Sequence, residues 1–423
     1  MAQTLKFGNG TWATKKGSTL AFNDEDGNYK PLPFTTTRAT SATRVNKEGL
    51  IEVVENDRPR IDYTDSAKGA LLLEPTRTNY QPYSADFSVW NVSGSTVSSS
   101  YGLSPDGSNN SSLITEGTGS AQHRISILSP ASSGIYTFSC FVKNKVGNHQ
   151  AYIDMGAVTG FFDFDTKTMY SAAGTTNVES WSNDWYRISI TSSSNITPVA
   201  SYMGIGKNNT ETFQGDGSSA IEFFGVQFEQ GSYPTSYIPT QGSAVTRVAD
   251  TASGSGNSEV FNDSEGVLFA NIAALTQDND DTVELCINNG TTNNRLSISF
   301  QTATNALRVV ARVSGVNQVN RTKTLSDITL FNKIAFKYKQ NNYSVFVNGF
   351  EILTDTIGTT FPTSTLNTFD FDRADGGTPF YGKTKQIGYY NTILTDLELE
   401  TLTSYRTWLS MVNELNLNVI YNG

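Results

Sequence analysis

Cysteine, histidine and charge are all scarce in this sequence of 423 residues. The two cysteines, Cys140 and Cys286, sit in separate alternating apolar runs, Phe138–Val142 and Val283–Ile287. That excludes a disulfide framework and a thiolate metal site, and both residues read as buried free thiols. Two histidines, His123 and His149, are too few to build a zinc site or a histidine-based triad. Charged residues make up only 17% of the chain, with 30 Lys and Arg against 40 Asp and Glu and a net charge of -10. This balance argues against nucleic acid or anionic membrane as a partner. Residues 1–8 lack the apolar core of a signal peptide, and no run is long enough to span a bilayer, so no membrane insertion is expected.

Uncharged polarity is what the chain has in its place, together with 24 Phe, 19 Tyr and 5 Trp. Chains that stay disordered are poor in aromatics and rich in charge, so this one folds. Short alternating segments bounded by Gly, Asn, Ser and Asp recur, among them Ile135–Val142, Trp185–Ile190, Ile221–Phe228, Gly266–Ile272, Arg295–Phe300 and Asn332–Tyr338. Alternation places one set of side chains on a core face and the other in water. The pattern predicts a mainly β protein with two β-sandwich or jelly-roll domains in series. An extended N-terminal region, 1–78, precedes them. The first sandwich covers 79–248, a Ser/Gly/Asn linker covers 249–258, and the second sandwich covers 259–423. One short C-terminal helix starts at Thr395, where Glu398 completes a capping box, and carries an apolar stripe from Leu394 to Val412. Residues 415–421 alternate cleanly enough to form a last strand.

Sugar recognition needs aromatic platforms beside amides and carboxylates. Trp90, Trp181 and Tyr186 are the glycan-binding candidates: Trp90 lies in a polar stretch, Trp181 beside the turn Ser182–Asp184, and Tyr186 opposite a core-facing Trp185. Asp370, Asp372 and Asp375 offer hard oxygen ligands at a spacing that can gather around Ca2+, with Arg373 as a competing partner. No other cofactor is indicated. A carboxylate pair for glycoside hydrolysis, Glu222 and Glu229, falls on opposite faces of a regular strand. No nucleophile-elbow, P-loop or dinucleotide motif is present, and an enzyme is not expected.

Two sets of residues resemble known families. The stretch Arg38–Glu52, then Pro59–Tyr63 and Leu71–Asn79, resembles the N-terminal portion of tailed-bacteriophage fibre and appendage proteins. There a carbohydrate-binding-like sandwich follows, ending in wording similar to Ser236–Thr240 and Thr246–Asp250. Lys333–Tyr338, Tyr343–Gly349, Tyr381-Gly382 and Ile387–Tyr390 resemble the laminin-G-like, concanavalin-A-like jelly roll. These resemblances imply a structural virion protein, a head or tail fibre or spike on the phage particle that displays sandwiches for host-surface or glycan adhesion. They imply a homotrimer that contacts other virion proteins through residues 1–78. A receptor-binding lectin and a polysaccharide depolymerase are the alternatives.

Overall fold

The computed structural model describes residues 3–129, 132–198, 200–277, 282–415 and 417. It is mainly β, with two short helices at the C-terminal end. The strand expected over 415–421 lies largely outside the described residues. No helix among the described residues is long and apolar enough to cross a membrane.

Two compact units are present: one combines residues 1–39, 54–75 and 249–423, the other 40–53 and 76–248. These boundaries correct the reading of 1–78 as a region apart. Apart from the small Ala42–Val45/Ile51–Val54 sheet, its strands join others from later in the chain: Leu5–Gly8 pairs antiparallel with Gly382–Tyr390, as does Ala70–Leu73. Joining a sheet satisfies backbone groups that an isolated strand leaves open. The expected linker 249–258 is also built in. Thr251–Ser253 pairs with Phe34–Thr37, and Ser255 is buried with its hydroxyl donating to the Leu32 carbonyl. Small side chains read as a flexible boundary in sequence, yet here they allow close packing.

The first unit is a sandwich of a 10-stranded and a 5-stranded sheet. Leu268, Ile334 and Phe336 from one meet Leu285, Ile298 and Val309 from the other, and Leu5, Phe7 and Leu71 share that core. Tyr343–Val347 turns into Phe350–Asp355 through Asn348 and Gly349, both at positive φ, as the Asn-Gly pair predicts. The C-terminal helix is two pieces, α1 (Asp396–Thr403) and α2 (Trp408–Glu414). The capping box of Thr395 and Glu398 is formed, and a second, Thr407 with Ser410, restarts the helix after the extended Ser404.

The second unit packs a 7-stranded against a 6-stranded sheet. Ile125, Ile153 and Met203 face Phe138, Cys140, Ile188 and Phe223 across its core.

The motif residues of the phage-like wording hold the units together internally. In the first unit Arg38 donates to Asp250 at 2.9 Å, and Arg60 is paired with both Asp250 and Glu74, all of them buried. Burial lowers the Arg38 guanidinium. It pulls on Arg60 as well, but Asp250 and Glu74 outweigh it and leave that group raised. In the second unit the Asn79 amide donates to the carbonyls of Val226 and Ile238, and the Tyr237 hydroxyl bonds that of Ser84 at 2.6 Å.

Candidate functional site

Along the central strand Glu265–Ala274, alternate residues face opposite ways. Leu268, Ala270 and Ile272 point into the sandwich core. Val267 and Phe269 lie on the outer face, where they pack with Tyr390 and with Leu394 and Leu399 at α1. Ala273 is on that same face, against Phe331 and Ala70. Asn271, between them, therefore interrupts an apolar face with an amide. It is only 7% exposed, and its Oδ1 is buried without a hydrogen-bond partner. Such an acceptor costs about 1–3 kcal/mol unless something donates to it.

Its cross-strand neighbours are polar as well. Lys333 stands opposite Asn271 on one side and Gln386 on the other. Beyond that pair the register slips: Ile272 meets Thr384, and Lys385 is left as the extra residue of a β-bulge. The bulge is pinned from the next strand, where the Asn9 amide N–H donates to the Lys385 carbonyl at 2.7 Å. Gly8 makes this possible, since its φ is +81° and a Cβ there would lie 2.4 Å from that carbonyl oxygen. The Lys385 ammonium sits 3.8 Å from the Phe331 ring centroid.

These residues floor a groove of about 930 Å³. One wall comes from α1 and α2, with Glu398, Thr401 and Ser410; the other comes from Gln3, Asn9 and Lys68. Gln3 donates to the Tyr390 hydroxyl at 3.0 Å, and Lys333 donates to the Ser404 carbonyl at 3.2 Å and lies 3.7 Å from Glu414. Burial lowers the ammonium pKa of Lys333 and Lys385. The groove thus offers amide, hydroxyl and ammonium groups, backed by the buried rings of Phe269 and Tyr390. That is the chemistry for holding a polyhydroxylated molecule.

The residues selected from sequence lie elsewhere. Trp90 is a correction: it is 4% exposed, its indole N–H donates to the Tyr83 carbonyl, and it packs in the second unit's core on Phe87. The polar stretch around it is a short 3-10 helix, Phe87–Val89, followed by the strand Asn91–Ser93. Trp181 is half-buried, edge-on to Phe141 at 4.9 Å, in a cluster with buried Trp185. Tyr186 is half-buried against Phe162 and Phe164. Asp370, Asp372 and Asp375 are not gathered: each has its own partners. Buried Asp370 accepts from the Gly254 N–H and the Asn288 amide. Asp372 accepts from the Ala374 N–H at 2.6 Å, and burial raises its pKa. Exposed Asp375 pairs with Arg373 at 2.9 Å, the competing arrangement. Glu222 accepts from the Ser111 hydroxyl, and Glu229 from the Thr235 N–H and hydroxyl.

Among the described residues one other group brings three possible metal ligands within 4.8 Å: Glu116, His149 and Asp216. Their atoms already serve one another. His149 Nδ1 lies 2.8 Å from Glu116, whose other oxygen accepts from the Asp216 N–H, while the Asp216 carboxylate accepts from Ser218 and Ser219. The cluster ties loops at the ends of strands. Sequence reasoning missed the groove because its floor joins Asn271, in an otherwise apolar strand, to Lys333 and Gln386 on two other strands.

No protein-family model and no curated protein matches the chain. Solved structures similar to it include the CBM40 of a Ruminococcus gnavus IT-sialidase, at 19% identity over 34% of this chain and 84% of that one, with a TM-score of 0.30. Domains LG4-5 of the mouse laminin alpha1 chain match at 10% identity over 64% of this chain and 86% of theirs, with a TM-score of 0.24. A Trypanosoma rangeli sialidase in complex with sialic acid matches at 9% identity over 91% and 81%, with a TM-score of 0.30. At these values the likenesses carry no argument, and the functional reading rests on the chain's own residues.

Proposed function

We propose that this chain is a non-catalytic adhesion protein that binds saccharides through the groove of its first unit. The supporting observation is the buried Asn271 Oδ1, an acceptor without a donor on the floor of a groove lined by amides and hydroxyls. A sugar hydroxyl supplies that donor, while the buried rings of Phe269 and Tyr390 back the groove. The setting we propose is a phage head or tail fibre or spike on the virion. Its support is the ordered wording from Arg38 to Asp250, as it is for a homotrimer and for contacts with other virion proteins. Mass measurement in solution tests the trimer, and a monomer at micromolar concentration refutes it.

The test of the groove is a printed oligosaccharide array probed with the full chain and with Asn271→Ala. Saturable binding by the native chain, lost in a variant that melts at or above the native temperature, is the expected result. Silence at millimolar sugar, or an unchanged signal from the folded variant, overturns the proposal. Release of reducing ends from host polysaccharide would overturn its non-catalytic part.

A further inference from the structure

The groove has a charge opposite to that of the protein around it. Five cationic side chains line it, those of Lys6, Lys68, Lys333, Lys385 and Arg406, against the carboxylates of Glu398 and Glu414. The chain as a whole carries -10. Several of these charges are already engaged. Lys6 is paired with Asp24, Lys333 is near Glu414, and Glu398 is held in the helix capping box. Three cations have no carboxylate within ion-pair distance among the described residues: Lys68, which donates to the Asn9 amide oxygen, and Lys385 and Arg406.

We infer that the groove takes an acidic saccharide, one carrying a carboxylate or sulfate beside its hydroxyls. Lys385 and Arg406 meet the anion, and Asn271 meets a neighbouring hydroxyl. This inference rests on the saccharide-binding reading above. The bulge supports it, because inserting Lys385 as an extra residue sets its ammonium over the Phe331 ring beside the Asn271–Gln386 pair. Desolvation disfavours the charged form of Lys385 and outweighs the opposing fields of Glu414 and Asp65, with Lys333 and Lys383 adding to it, so an incoming anion favours the charged form. Lysine recognises anionic oxygen as a point charge and does not distinguish carboxylate from sulfate.

The experiment uses an array printed with neutral, uronic-acid, sialylated and sulfated oligosaccharides, and three full-length proteins: native, Lys385→Met and Arg406→Gln. Met keeps the aliphatic stem against Phe331, and Arg406 is exposed, so both variants retain the fold. Hits confined to acidic sugars, weakened about tenfold by either variant and by 0.5 M salt, are the expected result. Carboxylated and sulfated spots then separate the two anion sources. Hits on neutral sugars alone overturn this inference and leave the saccharide reading standing. Acidic hits that neither variant weakens overturn the assignment of the anion to Lys385 and Arg406. An array without hits overturns the saccharide reading itself.

Discussion

Replacing Asp250 with Asn removes one charge from the most deeply buried ion cluster of the first unit. The aspartate is 4% exposed and Arg60 is fully buried. Its two oxygens serve separate arginines: Oδ1 accepts from Arg38, Oδ2 from Arg60, and Oδ2 also accepts from the Glu74 N–H at 3.0 Å. In Asp250→Asn the new amide NH2 must face one guanidinium, donor against donor. Arg38 keeps its bonds to the carbonyls of Val54, Glu55 and Arg58 but loses the charge of the Asp250 carboxylate. Breaking a buried pair from one side costs about 3–5 kcal/mol. For a unit of this size each kcal/mol moves the melting temperature by about 2–4 °C, giving an expected drop of about 6–20 °C. Differential scanning calorimetry of the full chain measures it, with Glu55→Gln as the control. Glu55 pairs with Arg58 on the surface, their side chains 71% and 49% exposed, and that loss is worth about 0–1 kcal/mol. If Asp250→Asn melts within about 3 °C of the native chain, like the control, the cluster is not what holds these segments together.

Asp154 in the second unit is buried, and that burial raises its pKa, although the Gly156 N–H donates to it at 2.6 Å. Its favourable contribution is complete below the ordinary range near ~3.9 and is lost as pH rises through the shifted value. Asp154→Asn should therefore gain stability over the native chain between about pH 4 and pH 7, as read from denaturant midpoints, and a difference independent of pH refutes the argument. Cys140 and Cys286 are fully buried, and burial pushes both thiols up. Ellman's reagent at pH 8 should label neither in the folded chain and both in guanidinium; rapid labelling of the native protein contradicts this placement.

Much of the local structure was legible in the residues. Alternation along Gly266–Ile272 and Asn332–Tyr338, the Asn348-Gly349 turn and the Thr395 capping box depend on interactions within a few residues or on one buried face. The domain boundaries were less legible. Residues 1–78 contain strands of two to four residues, too short to declare a partner, and strand pairing such as Leu5 with Tyr389 spans nearly the whole chain. Trp90 was misplaced because exposure was judged from neighbouring residue types, whereas its burial comes from Phe87 and the strands beneath it.

The sequence by itself determined the class of protein. Low charge, abundant hydroxyls and amides, alternating apolar residues and isolated cysteines specify sandwiches of short strands, because period-two patterning and turn chemistry are local properties. Only the tertiary structure decided where a ligand could sit. Asn271, Lys333, Lys385 and Gln386 lie on three strands far apart in the chain, and the bulge that sets Lys385 requires Gly8 from a fourth. Cross-strand register, which no stretch of sequence states, turns one asparagine in an apolar strand into the floor of a cationic groove on an acidic protein.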